Sequence, residues 1–231
     1  METPILTTMV VLYTMGVHLN TDKLAHELPL EDPFIKIEKQ GVIKRGASKK
    51  DAIRRREKAP APRRTTGFGN NSITLVLLSD GYGRHPKKEI TVKIFQNGVF
   101  HITGVLAEDY DRDVVERIRR HIVDKCPDAI ASGTWTPDNR RVVLMNYKTS
   151  LRGITNLSRE RLYNAVREKG FRANYEPEVY PAVKIYFPDQ RWIAKVFRTG
   201  NIILTGMTTS EECSALTEKL TGVLSSIPLT S

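Results

Sequence analysis

The side chains of this 231-residue chain best suited to chemistry are lysines and aromatics that recur in register. Residues 94–104 read IFQNGVFHITG and residues 196–206 read VFRTGNIILTG, 102 residues further on. The copies share Phe95/Phe197, Gly98/Gly200, Thr103/Thr205 and Gly104/Gly206, and a lysine stands two residues before each phenylalanine, Lys93 and Lys195. Residue types that carry covalent or metal chemistry are not arranged for it. The five histidines show no metal-ligand spacing, and Cys126 and Cys213 form no CxxC. No GxSxG, Walker A or paired-carboxylate pattern occurs, so the chain reads as a non-enzyme without cofactor or metal. What remains is binding. With 36 Lys and Arg against 26 Asp and Glu, the net charge of +10 favours an acidic partner, either nucleic acid or an anionic membrane surface. The repeated ammonium groups of Lys93 and Lys195 suit phosphates or the acceptor edges of a minor groove, the plain alternative being a solvated sheet edge.

The elements that must position these side chains follow from periodicity. Residues 5–15 are β-branched and apolar and read as a strand. Asn20 or Thr21 caps a short helix to Leu28, stopped by Pro29. Residues 72–79, 89–95 and 99–104 read as strands, and 106–124 as a helix with Leu106, Tyr110, Val114, Ile118 and Ile122 at four-residue steps. The second half repeats this order: a strand at 141–149, a helix from Ser158 to Lys169, strands at 182–187, 191–197 and 201–205, and a helix at 209–225 carrying Cys213, Leu216, Leu220 and Leu224 on one face. The expected fold is α+β, two pseudo-symmetric β-α-β-β-β-α repeats over residues 1–126 and 127–231. Copying a whole supersecondary unit implies two similar halves.

Between Lys44 and Arg64 there are ten Lys and Arg against Asp51 and Glu57. Residues 35–67 therefore read as a mobile basic insertion in the first repeat. A nuclear-import signal, a tether to the DNA backbone and a solubilising loop are its three readings, the tether being favoured. With 40% hydrophobic residues the chain can bury a core. No stretch approaches a transmembrane length and no secretory signal pattern opens it, so an intracellular, reducing location without membrane contact is expected.

The segment YEPEVYPAVKIYFPDQRWIAKVFRTGNIILTG (175–206) resembles the second repeat of the TATA-box-binding protein family, with Tyr175, Glu176, Pro177 and Glu178 in place. Residues 4–25 are similar to the family's opening strand and helix, and 94–104 to its first-repeat stirrup strand. The long insertion is similar to versions from large DNA viruses. The resemblance implies a saddle-shaped antiparallel sheet with helices on the convex side and the minor groove on the other. In that setting apolar plates enter base steps and replace lost stacking. Carried over by position, Phe95 and Phe197 are the inner wedges and Tyr180 the outer wedge of the second repeat. The outer wedge of the first repeat falls near Ile73 or Phe68.

Further groove contacts implied by the resemblance are Thr103 and Thr205, with His101 and Ile203 on the same face two residues earlier. At the groove centre, where the family has an Asn from each repeat, stand Thr8 and, slightly out of register, Asn146. Arg191 and the equivalent turn residues Arg84, Lys87 and Lys88 are candidates for phosphate. Glu176 and Glu178 lie where the family meets its transcription factor IIB-like partner.

The expected function is a general transcription initiation factor. It binds double-stranded promoter DNA in the minor groove, bends it, and recruits a transcription factor IIB-like protein and RNA polymerase, in the nucleus or a cytoplasmic viral factory, with no small-molecule substrate. Lys93 and Lys195, where the family has apolar residues, motivate the alternative: a related module without base-step insertion, acting as a non-bending DNA- or protein-interaction or packaging subunit.

Overall fold

A computed structural model describes residues 1–54, 71–136, 139–225 and 227. The chain opens with β1 (Ile5–Thr14), β2 (Val17–Leu19) and α1 (Thr21–Glu27). The side chain of Asn20 caps α1 by accepting from the backbone N–H groups of Asp22 and Lys23. Next come β3 (Phe34–Lys39), β4 (Ile43–Gly46) and α2 (Lys49–Arg54), then β5 (Ser72–Ser79), β6 (Lys88–Phe95), β7 (Val99–Val105) and α3 (Glu108–Lys125). The remainder is β8 (Ile130–Gly133), β9 (Arg141–Ser150), α4 (Arg159–Glu168), β10 (Arg172–Asn174), β11 (Ala182–Phe187), β12 (Trp192–Phe197), β13 (Asn201–Met207) and α5 (Ser210–Ser225).

Two compact units emerge. Val10–Arg141 forms one, and Met1–Met9 with Val142–Ser231 the other. Each is α+β, with antiparallel strands whose inner face is covered by helices. In the first the sheet order is β1-β7-β6-β5-β3-β4, and β2 pairs β8 separately. Ile37, Leu75, Leu77, Ile90, Val92, Ile94, Phe100 and Ile102 point inward, where Val114, Ile118 and Ile122 of α3 cover them, all fully buried. In the second the order is β10-β11-β12-β13-β9. Val183, Ile185, Ala194, Val196, Ile202 and Leu204 make its core with Leu162, Val166, Leu216 and Leu220 of α4 and α5. Alternation along each strand leaves 74, 91, 93, 95, 101 and 103 in one unit, and 184, 193, 195, 197, 203 and 205 in the other, on the face away from that core.

Helix α3 is tied to its sheet by two buried carboxylates. Asp111, fully buried, accepts from the Tyr13 hydroxyl at 2.6 Å and from Arg140 Nε at 2.7 Å. Asp113 accepts from Ser79 Oγ at 2.6 Å and from Arg117 Nε at 2.7 Å. Desolvation and the Asp111 carboxylate drive the Tyr13 phenol well above its ordinary value. Both cysteines are free and buried. Among the described residues no helix is long and apolar enough to cross a membrane, and no His/Cys/Asp/Glu group is set to hold a metal.

Two expectations need correction. The halves hold more strands than the β-α-β-β-β-α reading: the second adds β10, which pairs β11, and the first adds β3, which pairs β5, as well as β4 beside β3 and the short β2, which pairs β8. The alternation of β3 and β10 is masked because charged residues occupy the outer face of β3, and β10 is three residues long. The basic stretch is also not a loop from residue 35. Residues 34–39 are a sheet strand, β4 pairs it, and α2 follows; the extra chain lies between β3 and β5, over 40–71, where the other half has only 175–181. A capping box explains α2: Ser48 N and Oγ both donate to Asp51 Oδ2, at 2.9 and 3.0 Å. Of the ten bases, Arg55, Arg56, Lys58, Arg63 and Arg64 lie outside the described residues, as does Phe68.

Candidate nucleic-acid interface

In the second unit the outer face is built around Tyr180. Its backbone N–H donates to Glu176 O at 2.8 Å, closing a turn that delivers the ring beside Phe197, 5.9 Å between ring centroids and tilted by 60°. Both rings are half-buried. Lys184 and Lys195 are register partners across β11 and β12, and both ammonium groups lie over the Tyr180 ring, at 5.0 and 5.8 Å from its centroid. No carboxylate pairs with either among the described residues. A cation over an aromatic face is attracted by the ring's quadrupole, so the ring holds two positive charges that would otherwise repel. Farther along the same face, the Arg172 guanidinium covers Tyr186 at 5.0 Å. Ile203 pairs with Lys195. Thr205 Oγ1 donates to Asn146 Oδ1, which brings those two candidates together at β13 and β9. Thr8 is half-buried on β1, in the stretch belonging to this unit.

The first unit presents matching positions with different surroundings. Lys93 pairs with His101 and with Thr74, and Thr91 with Thr103. Burial first, then the Lys93 ammonium, holds the His101 imidazole below its ordinary value. Phe95 is half-buried opposite Ser72, as Phe197 is opposite Ala182. Ile73, however, is fully buried on the core side opposite Ile94 and forms no wedge. Two residues before Ser72, where the register would place a partner for Phe95 equivalent to Tyr180, stands Asn70, outside the described residues.

The turn bases divide. Lys87 is exposed, and Arg191 is exposed in a left-handed conformation with φ of 61°. Lys88 instead lies over the Tyr110 ring of α3 at 5.7 Å, with burial pulling its ammonium below the ordinary value, which places it on the helix side. Arg84 is taken by Asp109 at 2.6 Å. Glu178 is exposed beside Val179, which is 76% exposed, while Glu176 Oε1 accepts from Asn174 Nδ2 at 2.6 Å. Residues 157–227 match the family described as "Transcription factor TFIID (or TATA-binding protein, TBP)".

The second half of the chain is thus similar to that family, and divergent from it. A curated relative is TATA-box-binding protein 2 of Methanosarcina acetivorans, 28% identical over 105 residues, covering 36% of this chain and 57% of that protein. The chain thus spans little more than half the length of that relative. A solved structure, the TBP of Methanococcus jannaschii, superposes with a TM-score of 0.63 at 15% identity, covering 98% of this chain and 100% of that one, and shows the shared fold. The TATA-box-binding resemblance read from 175–206 falls inside the matched region. It missed Lys184 and Arg172. Their signal was present in VKIYF, where Lys184 and Tyr186 alternate with core residues, but the first half has Thr74 and Val76 there, so no duplication advertised them.

Proposed function

We propose that this protein binds double-stranded DNA on the outer sheet face and acts as a general transcription initiation factor. The observation that supports the reading is the aromatic pair Tyr180 and Phe197, flanked by the unpaired Lys184 and Lys195 on a face that the helices leave open. Rings at a strand end can enter a base step, and the lysines beside them meet the phosphates that the bent groove brings near. Thr205, Asn146, Ile203 and Thr8 contact base edges and sugars, with Thr103, His101, Lys93 and Phe95 in equivalent roles in the first half. Lys87 and Arg191 reach the backbone. A bent complex then recruits a transcription factor IIB-like protein through Glu176 and Glu178, and with it RNA polymerase, inside the cell.

The test is an A·T-rich duplex carrying a donor and an acceptor fluorophore at its ends. Binding with a rise in energy transfer supports the reading. Salt-sensitive binding with no change in transfer overturns the bending and favours the second reading, a non-bending interaction or packaging module. That second reading draws on the two ammonium groups, which add affinity without base information.

A further inference from the structure

In the first unit, a helix lies on the face that the second unit leaves open. Glu38 and Lys36 of β3 alternate with the core residue Ile37, and Lys44 of β4 alternates with Arg45, whose guanidinium donates to Ala25 O and Leu28 O on the helix side. Lys36 and Lys44 therefore project from the outer face, and both reach Asp51 Oδ1 of α2, at 3.1 and 2.9 Å. From the same first turn, toward the neighbouring strand β6, Lys49 N donates to Glu89 at 3.1 Å and Lys50 Nζ to Thr91 Oγ1 at 3.4 Å. Val76 is the register partner of Lys36 on one side and of Thr91 on the other, so α2 spans it. Val76 and Lys36 are 4% and 7% exposed. Their register equivalents, Tyr186 and Arg172, are half-buried and exposed. Gly46, at φ 71°, turns the chain into this position; a Cβ there would meet Ile35 O at 2.1 Å.

We infer that α2 is an intramolecular occupant of the first unit's sheet face, which DNA must displace to lie on that face. The inference rests on the DNA-binding reading above. A helix is about 10 Å across with its side chains, so a groove cannot touch the Val76 row while α2 is seated. The attachments of Lys44, Lys49 and Lys50 are polar and solvated, so at these points the helix is held by contacts that phosphate can replace. Asp51 is the anion that Lys44 holds and that Lys36 shares with Glu38, which stays on the sheet, and Glu89 is the anion that the helix backbone holds. Their lowered need for a carboxylate in the presence of phosphate makes the exchange one anion for another. The 175–181 connection of the other half is too short to carry such a helix, so that face stands ready without a displacement step.

The test joins α2 to the sheet. In a Lys50→Cys, Thr91→Cys protein, a short bismaleimide staples the helix in place, and the same protein capped with a monofunctional maleimide is the control; Cys126 and Cys213 are buried. The stapled form should bind an A·T-rich duplex about tenfold more weakly, since the seated helix leaves only the open population to bind. Amide exchange of residues 47–54 in the unaltered protein should accelerate on saturation with duplex, and in Asp51→Asn it should be fast without DNA. Equal affinity of stapled and capped forms, or a bound duplex with 47–54 as protected as before, overturns displacement while leaving DNA binding intact. Slow exchange in Asp51→Asn overturns the clamp. No duplex bound by the unaltered protein overturns the DNA reading and this one with it.

Discussion

Lys184 and Lys195 stand opposite each other on neighbouring antiparallel strands, and neither has a carboxylate partner among the described residues; the Tyr180 ring lies under both. Like charges directly across a strand pair destabilise a sheet. Changing both to Gln should therefore leave thermal stability unchanged or slightly raised. It should weaken duplex binding and reduce the slope of log affinity against log salt by roughly 1.8, about 0.9 for each phosphate that is no longer neutralised. Titrations at several salt concentrations measure this, and an unaltered slope would show that the pair does not meet phosphate.

Tyr180→Ala and Phe197→Ala remove rings that are half-buried rather than core. Each ring stacked on a base is worth about 1–3 kcal/mol, so each variant should lose on the order of tenfold or more in affinity and most of the bend. Circular dichroism should show an intact fold. Full bending by Phe197→Ala would place the ring outside the base step.

His101 titrates below its usual 6.5 because it is part-buried and faces Lys93. A folded-state value below the unfolded one means that the unfolded chain binds the proton more readily, so this residue's contribution to stability is lost as pH falls through that range. Phosphate nearby favours the imidazolium. Duplex affinity should then rise from about pH 8 to about pH 5.5 by more than in His101→Gln. Parallel pH profiles of the two proteins would refute the contact.

Asp111 is fully buried and bonded to Tyr13 and Arg140. Asp111→Ala strands a guanidinium and a phenol, and should cost about 3 kcal/mol in denaturant unfolding. Duplex affinity at low temperature should stay as it was, because α3 lies on the helix side. Stability within about 0.5 kcal/mol of the parent would mean that water replaces the carboxylate at no cost.

The sequence by itself determined the longer strands and helices and the resemblance of residues 175–206 to the matched family. Apolar alternation and capping residues such as Asn20 and Ser158 act locally, and a duplicated segment is visible as such. The family resemblance, not the spacing alone, put Tyr180 and Phe197 side by side as a pair of rings 17 residues apart, and the rings do lie beside each other. Tertiary structure alone decided which face each residue took. Ile73 reads as one more β-branched strand residue until the register with Ile94 turns it inward. Lys88 reads as a free turn base until Tyr110 takes it. The basic stretch reads as solvated because composition cannot show that Asp51 satisfies Lys36 and Lys44 from a helix fifteen and seven residues away in sequence. Such neutralisation depends on proximity across the sheet, which a linear pattern does not encode.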